Sequence, residues 1–180
     1  ECVDTFSGDV LAERLLDVGM MLFKQEKYDE CLSVTERALS FASNENIALL
    51  TSIHSNLASL YNKTSEYEKA ENHYRERISL VEKDGDANYH YLAIAYDDLG
   101  AFLHQLNKND EAANNLEHAL SMVEADENEA QLIAQIHQHL SQVYSAVGAS
   151  EKANLHNSKY MELMKLLDDN CDTDIKPIEK

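Results

Sequence analysis

One stretch limits what this chain can fold into more than any other: residues 93–120, AIAYDDLGAFLHQLNKNDEAANNLEHAL. At 3.6 residues per turn, Tyr96, Leu99, Gly100 and Leu103 share one face of a first helix. Ala112, Leu116 and Ala119 share one face of a second. Gly100 and Ala112 let the two backbones approach closely, and the large apolar residues fill the space beside them. A hairpin of this kind cannot bury both of its faces alone, so it needs neighbours like itself.

The neighbours are present. The same frame fits at Ala12, Thr51, Ala93 and Ala134, in steps of 39, 42 and 41 residues. The first repeat (about 9–45) puts Leu15, Val18, Gly19 and Leu22 inward on one helix and Tyr28, Cys31, Thr35 and Ala38 on the next. The second (about 46–86) offers His54, Leu57, Ala58 and Tyr61, then Tyr67, Ala70, Tyr74 and Arg77. The third is residues 87–127, and the fourth (128–168) supplies His137, Leu140, Ser141 and Tyr144, then Ala153, Asn157 and Tyr160. Asp9 is placed to cap the first helix, Ser65 and Glu68 are spaced as a capping box, and Lys83-Asp84-Gly85-Asp86 and Gly148-Ala149-Ser150 read as turns. Residues 1–8 are expected as a frayed lead-in, and 169–180 as a disordered acidic tail. With five glycines and one proline in 180 residues, a sheet protein would lack turn residues, so the fold class is all-α.

The ladder in residues 93–120 resembles the tetratricopeptide repeat, with Tyr96 where the family has Trp, and Leu103 and Leu116 where it has aromatics. The long step and the missing closing proline are similar to the long-repeat subclass of kinesin light chains and the Pins/LGN adaptors. The resemblance spans residues 9–168 and implies a right-handed α-solenoid of four hairpins that binds proteins rather than catalysing a reaction. It also implies a concave groove lined by the first helix of each repeat. Chaperone-binding members grip a terminal carboxylate with a Lys/Asn/Arg clamp, and here only Asn56 fits it.

The groove positions include Asp17 and Met20 in the first repeat, and Asn56, Ser59 and Asn62 in the second. Asp97 and Asp98 follow in the third, and Gln138 and Gln142 in the fourth. Amides can hydrogen-bond an extended peptide backbone while largely ignoring its sequence. Asp97 and Asp98 would select a basic side chain, so the expected ligand is a basic or neutral peptide segment. The alternative is a structural subunit that docks through its convex face or its last helix. That helix, about 151–168, carries more apolar residues than one inward stripe can use, which leaves Met161 and Leu166 for a partner or a second copy.

The net charge of -18 argues against nucleic acid and anionic lipid as partners. No apolar run is long enough to span a membrane. Cys2, Cys31 and Cys171 show neither metal spacing nor an even framework, so a free core thiol at Cys31 and a reducing, cytoplasmic setting are expected. The eight histidines have no i,i+3 or i,i+4 pair for a metal on one helix, and no nucleotide loop or nucleophile elbow is present. No cofactor, metal or catalytic residue is therefore expected. The start at Glu1 rather than Met suggests a piece of a longer protein.

Overall fold

The computed structural model describes residues 7–84 and 89–173, the side chains of 170–173 excepted. Among them are eight α-helices: α1 (Gly8–Lys24), α2 (Tyr28–Phe41), α3 (Ile47–Lys63), α4 (Tyr67–Lys83), α5 (Tyr89–Gln105), α6 (Asn109–Val123), α7 (Ala130–Ala146) and α8 (Ser150–Thr173). A 3-10 turn at Glu127–Glu129 precedes α7, and no described residue is in a strand. The chain is all-α. The leading helices α1, α3, α5 and α7 are 17 residues each. They start at Gly8, Ile47, Tyr89 and Ala130, again in steps of 39, 42 and 41 residues.

The chain forms two compact units, one up to residue 87 and the other from residue 88. In the first, α1 packs on α2 and α3 on α4, while α2 joins the hairpins by packing on α3. The second repeats the plan with α5 on α6, α7 on α8, and α6 on α7. Small residues sit where helices come closest: Ala12, Ala38, Ala58 and Ala70 in the first unit and Ala93, Ala112 and Ala119 in the second are fully buried. Around them Ile53, Leu57, Leu60, Leu99, Leu116, Ile136 and Leu140 build the cores. Val18 departs from its expected inward place and stays exposed, whereas its counterparts Leu57 and Leu140 are buried. Those two lie on helices that pack against α2 and α6 respectively, and no described helix precedes α1.

The helix ends correct two sequence expectations. Ser7, not Asp9, caps α1 by accepting from the Val10 amide. Asp9 instead reaches the far end of the hairpin and accepts from the Ser43 amide (2.6 Å) and the Asn46 side chain (3.0 Å), which holds its carboxyl below the usual range. Ser65 forms no capping box, because its φ of 65° puts it in the left-handed region at the end of α3. The Glu66 amide bonds back to the Tyr61 carbonyl (2.8 Å) and the Ser65 amide to that of Asn62 (3.1 Å). This Schellman closure recurs in every hairpin, from Lys27 to Leu22, Lys108 to Leu103 and Ala149 to Tyr144. The left-handed residue is Glu26, Ser65, Asn107 and Gly148 in turn. Only the last is free of a Cβ penalty, which is about 1–2 kcal/mol for an ordinary residue. Glu26→Gly is therefore expected to stabilise the fold by about 0.5–1 kcal/mol after the extra backbone entropy of glycine is subtracted. A rise in the urea midpoint checks it, and a fall would mean that Glu26 holds the turn through its side chain.

At the other end, α8 runs to Thr173, past the Asp168 at which the apolar period stops. The rest of the tail, including Ile175 and Ile178, lies outside the described residues, as do residues 1–6 of the lead-in and Gly85-Asp86 of the expected turn.

Candidate functional site

In the first unit, α1, α2 and α3 surround a cavity of about 290 Å3. Its floor owes its depth to small side chains: Gly19 on α1, and Cys31 and Thr35 on α2. The Cys31 thiol donates to the Gly19 carbonyl (3.1 Å) and the Thr35 hydroxyl to the Cys31 carbonyl (2.8 Å). Both polar atoms are thus satisfied by backbone, and the floor behaves as apolar. Burial pushes the Cys31 thiol pKa up, so it stays a free, protonated thiol. Met20 and Phe23 form one wall, with Phe23 edge-on to Tyr28 at 5.6 Å, and Asn56 and Ser59 of α3 form the other. Three sequence-predicted residues, Met20, Asn56 and Ser59, therefore converge. Two do not: Asp17 is exposed on α1, 3.5 Å from Arg14, and Asn62 is half-buried in the last turn of α3, away from the cavity lining.

In the second unit, Asp97 is not available to select a ligand's cation. It is 0% exposed, with one carboxylate oxygen accepting from the Gln135 amide (2.6 Å) and the other 2.7 Å from the His139 ring. A carboxylate carried on the side of α5 that meets α7 loses its water and must find donors there. The hydrogen bond to Asp97 raises the His139 pKa above its ordinary value, against the opposing effect of burial. Asp97 is thus a buried clasp between α5 and α7. Asp98 is half-buried beside it, while Gln138 and Gln142 are exposed one turn apart on α7.

Two clusters went unrecognised in the sequence. In the first unit, His54 Nδ1 on α3 lies 3.1 Å from His73 Nδ1 on α4, and Tyr61 stacks on His73 with centroids 5.4 Å apart. The Tyr61 hydroxyl donates to Glu36 on α2 at 2.6 Å, and Lys69 sits over the Tyr61 ring at 4.9 Å. The second unit has the same arrangement: His137 on α7 is 2.9 Å from His156 on α8, Tyr144 stacks on His156, and Lys152 sits over Tyr144 at 4.6 Å. The Tyr144 hydroxyl donates to Glu117 on α6. Burial lowers the pKa of all four histidines, that of His137 to about 4. The available signal was an equal spacing of 19 residues in two repeats. Each cluster brings together a pair, and among the described residues no group of three His, Cys, Asp or Glu is placed to hold an ion.

The residues expected to dock, Met161 and Leu166, are 60% and 54% exposed. Five residues apart on one helix, they point ~140° away from each other. They cannot share one flat surface, and Leu166 borders a cleft. No described helix is long and apolar enough to cross a membrane.

A profile of the family described as "Tetratricopeptide repeat" matches residues 49–125. No curated protein matches the chain in sequence at a significant level. Among solved structures, BtubC (BKLC) from P. vanneervenii superposes with a TM-score of 0.81 at 20% identity, over 99% of this chain and 71% of its own. MamA does so with a TM-score of 0.68 at 16% identity, over 88% and 81%. Aspartyl phosphate phosphatase F from Bacillus subtilis reaches 0.76 at 19% identity, over 88% of this chain and 41% of its own. At these identities the likeness is one of fold. The matched profile makes residues 49–125 tetratricopeptide repeat, and the same helical hairpin recurs on either side of that stretch.

Proposed function

We propose that this chain is a non-catalytic adaptor that binds an extended peptide segment of a partner protein, with an apolar side chain of that segment in the cavity of the first unit. The observation that carries the reading is the meeting of Met20 and Phe23 with Asn56 and Ser59 around one opening. The apolar wall and floor supply burial, and the amide and hydroxyl can bond the backbone on either side of the anchor. Gln138 and Gln142 offer the same kind of contact on the second unit. Lys24 borders the cavity, so the anchor residue is neutral rather than basic. A preference for basic neighbours rests on the overall charge of -18.

Ser59 lies exposed at the rim, so Ser59→Phe blocks the opening without entering the core. Binding of apolar-anchored peptides selected from an array should weaken by about tenfold or more, the scale of losing one buried anchor. Unchanged affinity would remove the cavity from the site.

A further inference from the structure

The second unit carries another recess, of about 570 Å3, between the end of α6, the 3-10 turn, the start of α7 and the middle turns of α8. Its floor is apolar, with Ile133 from α7 and Leu163, Leu166 and Leu167 from α8. Its rim carries four carboxylates: Glu124, Asp126, Glu127 and Glu162. Lys159 is the single lysine or arginine among the lining residues, and its ammonium lies 3.2 Å from Glu124. The rim therefore keeps an excess of negative charge around a floor on which Leu166 is exposed and Leu163 and Leu167 are half-buried.

We infer that this recess docks a basic amphipathic segment of a partner protein, with its apolar side chains on the leucines and its cations against the rim. Complementary charge selects this occupant. A second copy of the chain would bring the same rim and a net charge of -18 against itself. The chain's own last stretch is excluded on the same ground, since residues 168–180 hold Asp168, Asp169, Asp172, Asp174 and Glu179 against Lys176 and Lys180. Nucleic acid offers the wrong charge and no apolar surface to match the floor. The recess and the cavity of the first unit are separate surfaces on separate units.

The test uses the full chain and two fluorescent synthetic amphipathic helices, one of leucine and lysine and one of leucine and glutamate, read by anisotropy. The lysine peptide should bind and the glutamate peptide should not. Glu127→Lys/Glu162→Lys should weaken binding of the lysine peptide by about tenfold or more, and Leu166→Asn by a comparable factor. Glu13→Lys/Glu45→Lys makes the same change of net charge on the first unit and should alter it by less than about twofold. Circular dichroism of each variant confirms that the helices are retained. Equal losses from the two charge reversals would overturn the proposal in favour of diffuse attraction. Sedimentation showing a dimer that Leu166→Asn dissociates would overturn it in favour of a second copy. Ser59→Phe should leave this binding intact, which separates the outcome from that for the peptide cavity.

Discussion

Replacing Gly100 with leucine is expected to destabilise the fold by about 3 kcal/mol or more, at the upper end of what overpacking costs. The reason is geometric. A Cβ on Gly100 would lie 2.6 Å from Leu116 Cγ, 2.9 Å from its Cδ2 and 3.2 Å from the Ala112 carbonyl oxygen. Leu116 is fully buried and the Ala112 oxygen belongs to α6, so neither can move aside freely. Even Gly100→Ala should lose stability, although alanine gains about 1 kcal/mol of helix propensity over glycine. Gly19, the matching residue of the first repeat, gives the contrast. There a Cβ would meet only the Thr35 hydroxyl at 3.2 Å and the Cys31 sulfur at 3.7 Å, so Gly19→Ala should be close to neutral. Leu116→Ala should partly rescue Gly100→Ala, with a coupling of about 1 kcal/mol or more in a double-mutant cycle. Thermal midpoints measure all of these. An unchanged midpoint for Gly100→Leu, or simple additivity in the cycle, would show that the α5–α6 contact is looser than the distances say.

The second large effect is a loss of stability in mild acid. His137 is 2% exposed, and burial beside His156 holds its pKa down to about 4 from an ordinary 6.5. The folded state thus favours the neutral ring. Its contribution is complete above pH ~6.5 and is lost as the pH falls from there toward ~4, by on the order of 3 kcal/mol at 1.36 kcal/mol per pH unit. His54, His73 and His156 act with the same sign, because burial lowers each of them. The paired rings share one Nδ1 proton, and a second proton would set two N–H groups face to face. The surroundings moderate this without reversing it: Glu76 and Glu36 lie near the first pair, and Glu124 and Glu117 with Lys159 and Lys152 near the second. His139 acts in the opposite sense. Its raised pKa gives stability that is full below pH ~6.5 and declines as the pH rises through the folded value. Urea unfolding at pH 7.5 and 4.5 should show the loss for the parent chain, and His137→Gln should flatten the dependence. An equal pH dependence in parent and variant would place the titration elsewhere.

Much of this was legible in the sequence, and what was not has a common cause. The period of the small and large residues marks the hairpins, because the repeat itself dictates which face is buried. The fate of Asp97 is not written in its own helix. Gln135 and His139 lie 38 and 42 residues further on, and only the packing of α5 against α7 shows that they take both carboxylate oxygens. A groove position and a buried clasp look the same until the partner helix is known. The histidines were sought as ligands along one helix, whereas they meet across the two helices of a hairpin. For Met161 and Leu166, the surplus of apolar residues on α8 was visible, but the angle between the two separates them. The cavity residues Met20, Asn56 and Ser59 could be found because all three sit at fixed places in the repeat frame.

The hydrogen bonds from Tyr61 to Glu36 and from Tyr144 to Glu117 each leave one hairpin and end on the one before it. In a linear array of repeats, the sharpness of unfolding depends on how strongly neighbours are coupled relative to the stability of each alone. These tyrosines add a directional term to that coupling in both units. Once it is lost, a hairpin need no longer open together with its neighbour. For Tyr61→Phe, native-state hydrogen exchange should then report the amides of α2 and those of α3 leaving at different free energies, in a melting curve broadened more than it is shifted.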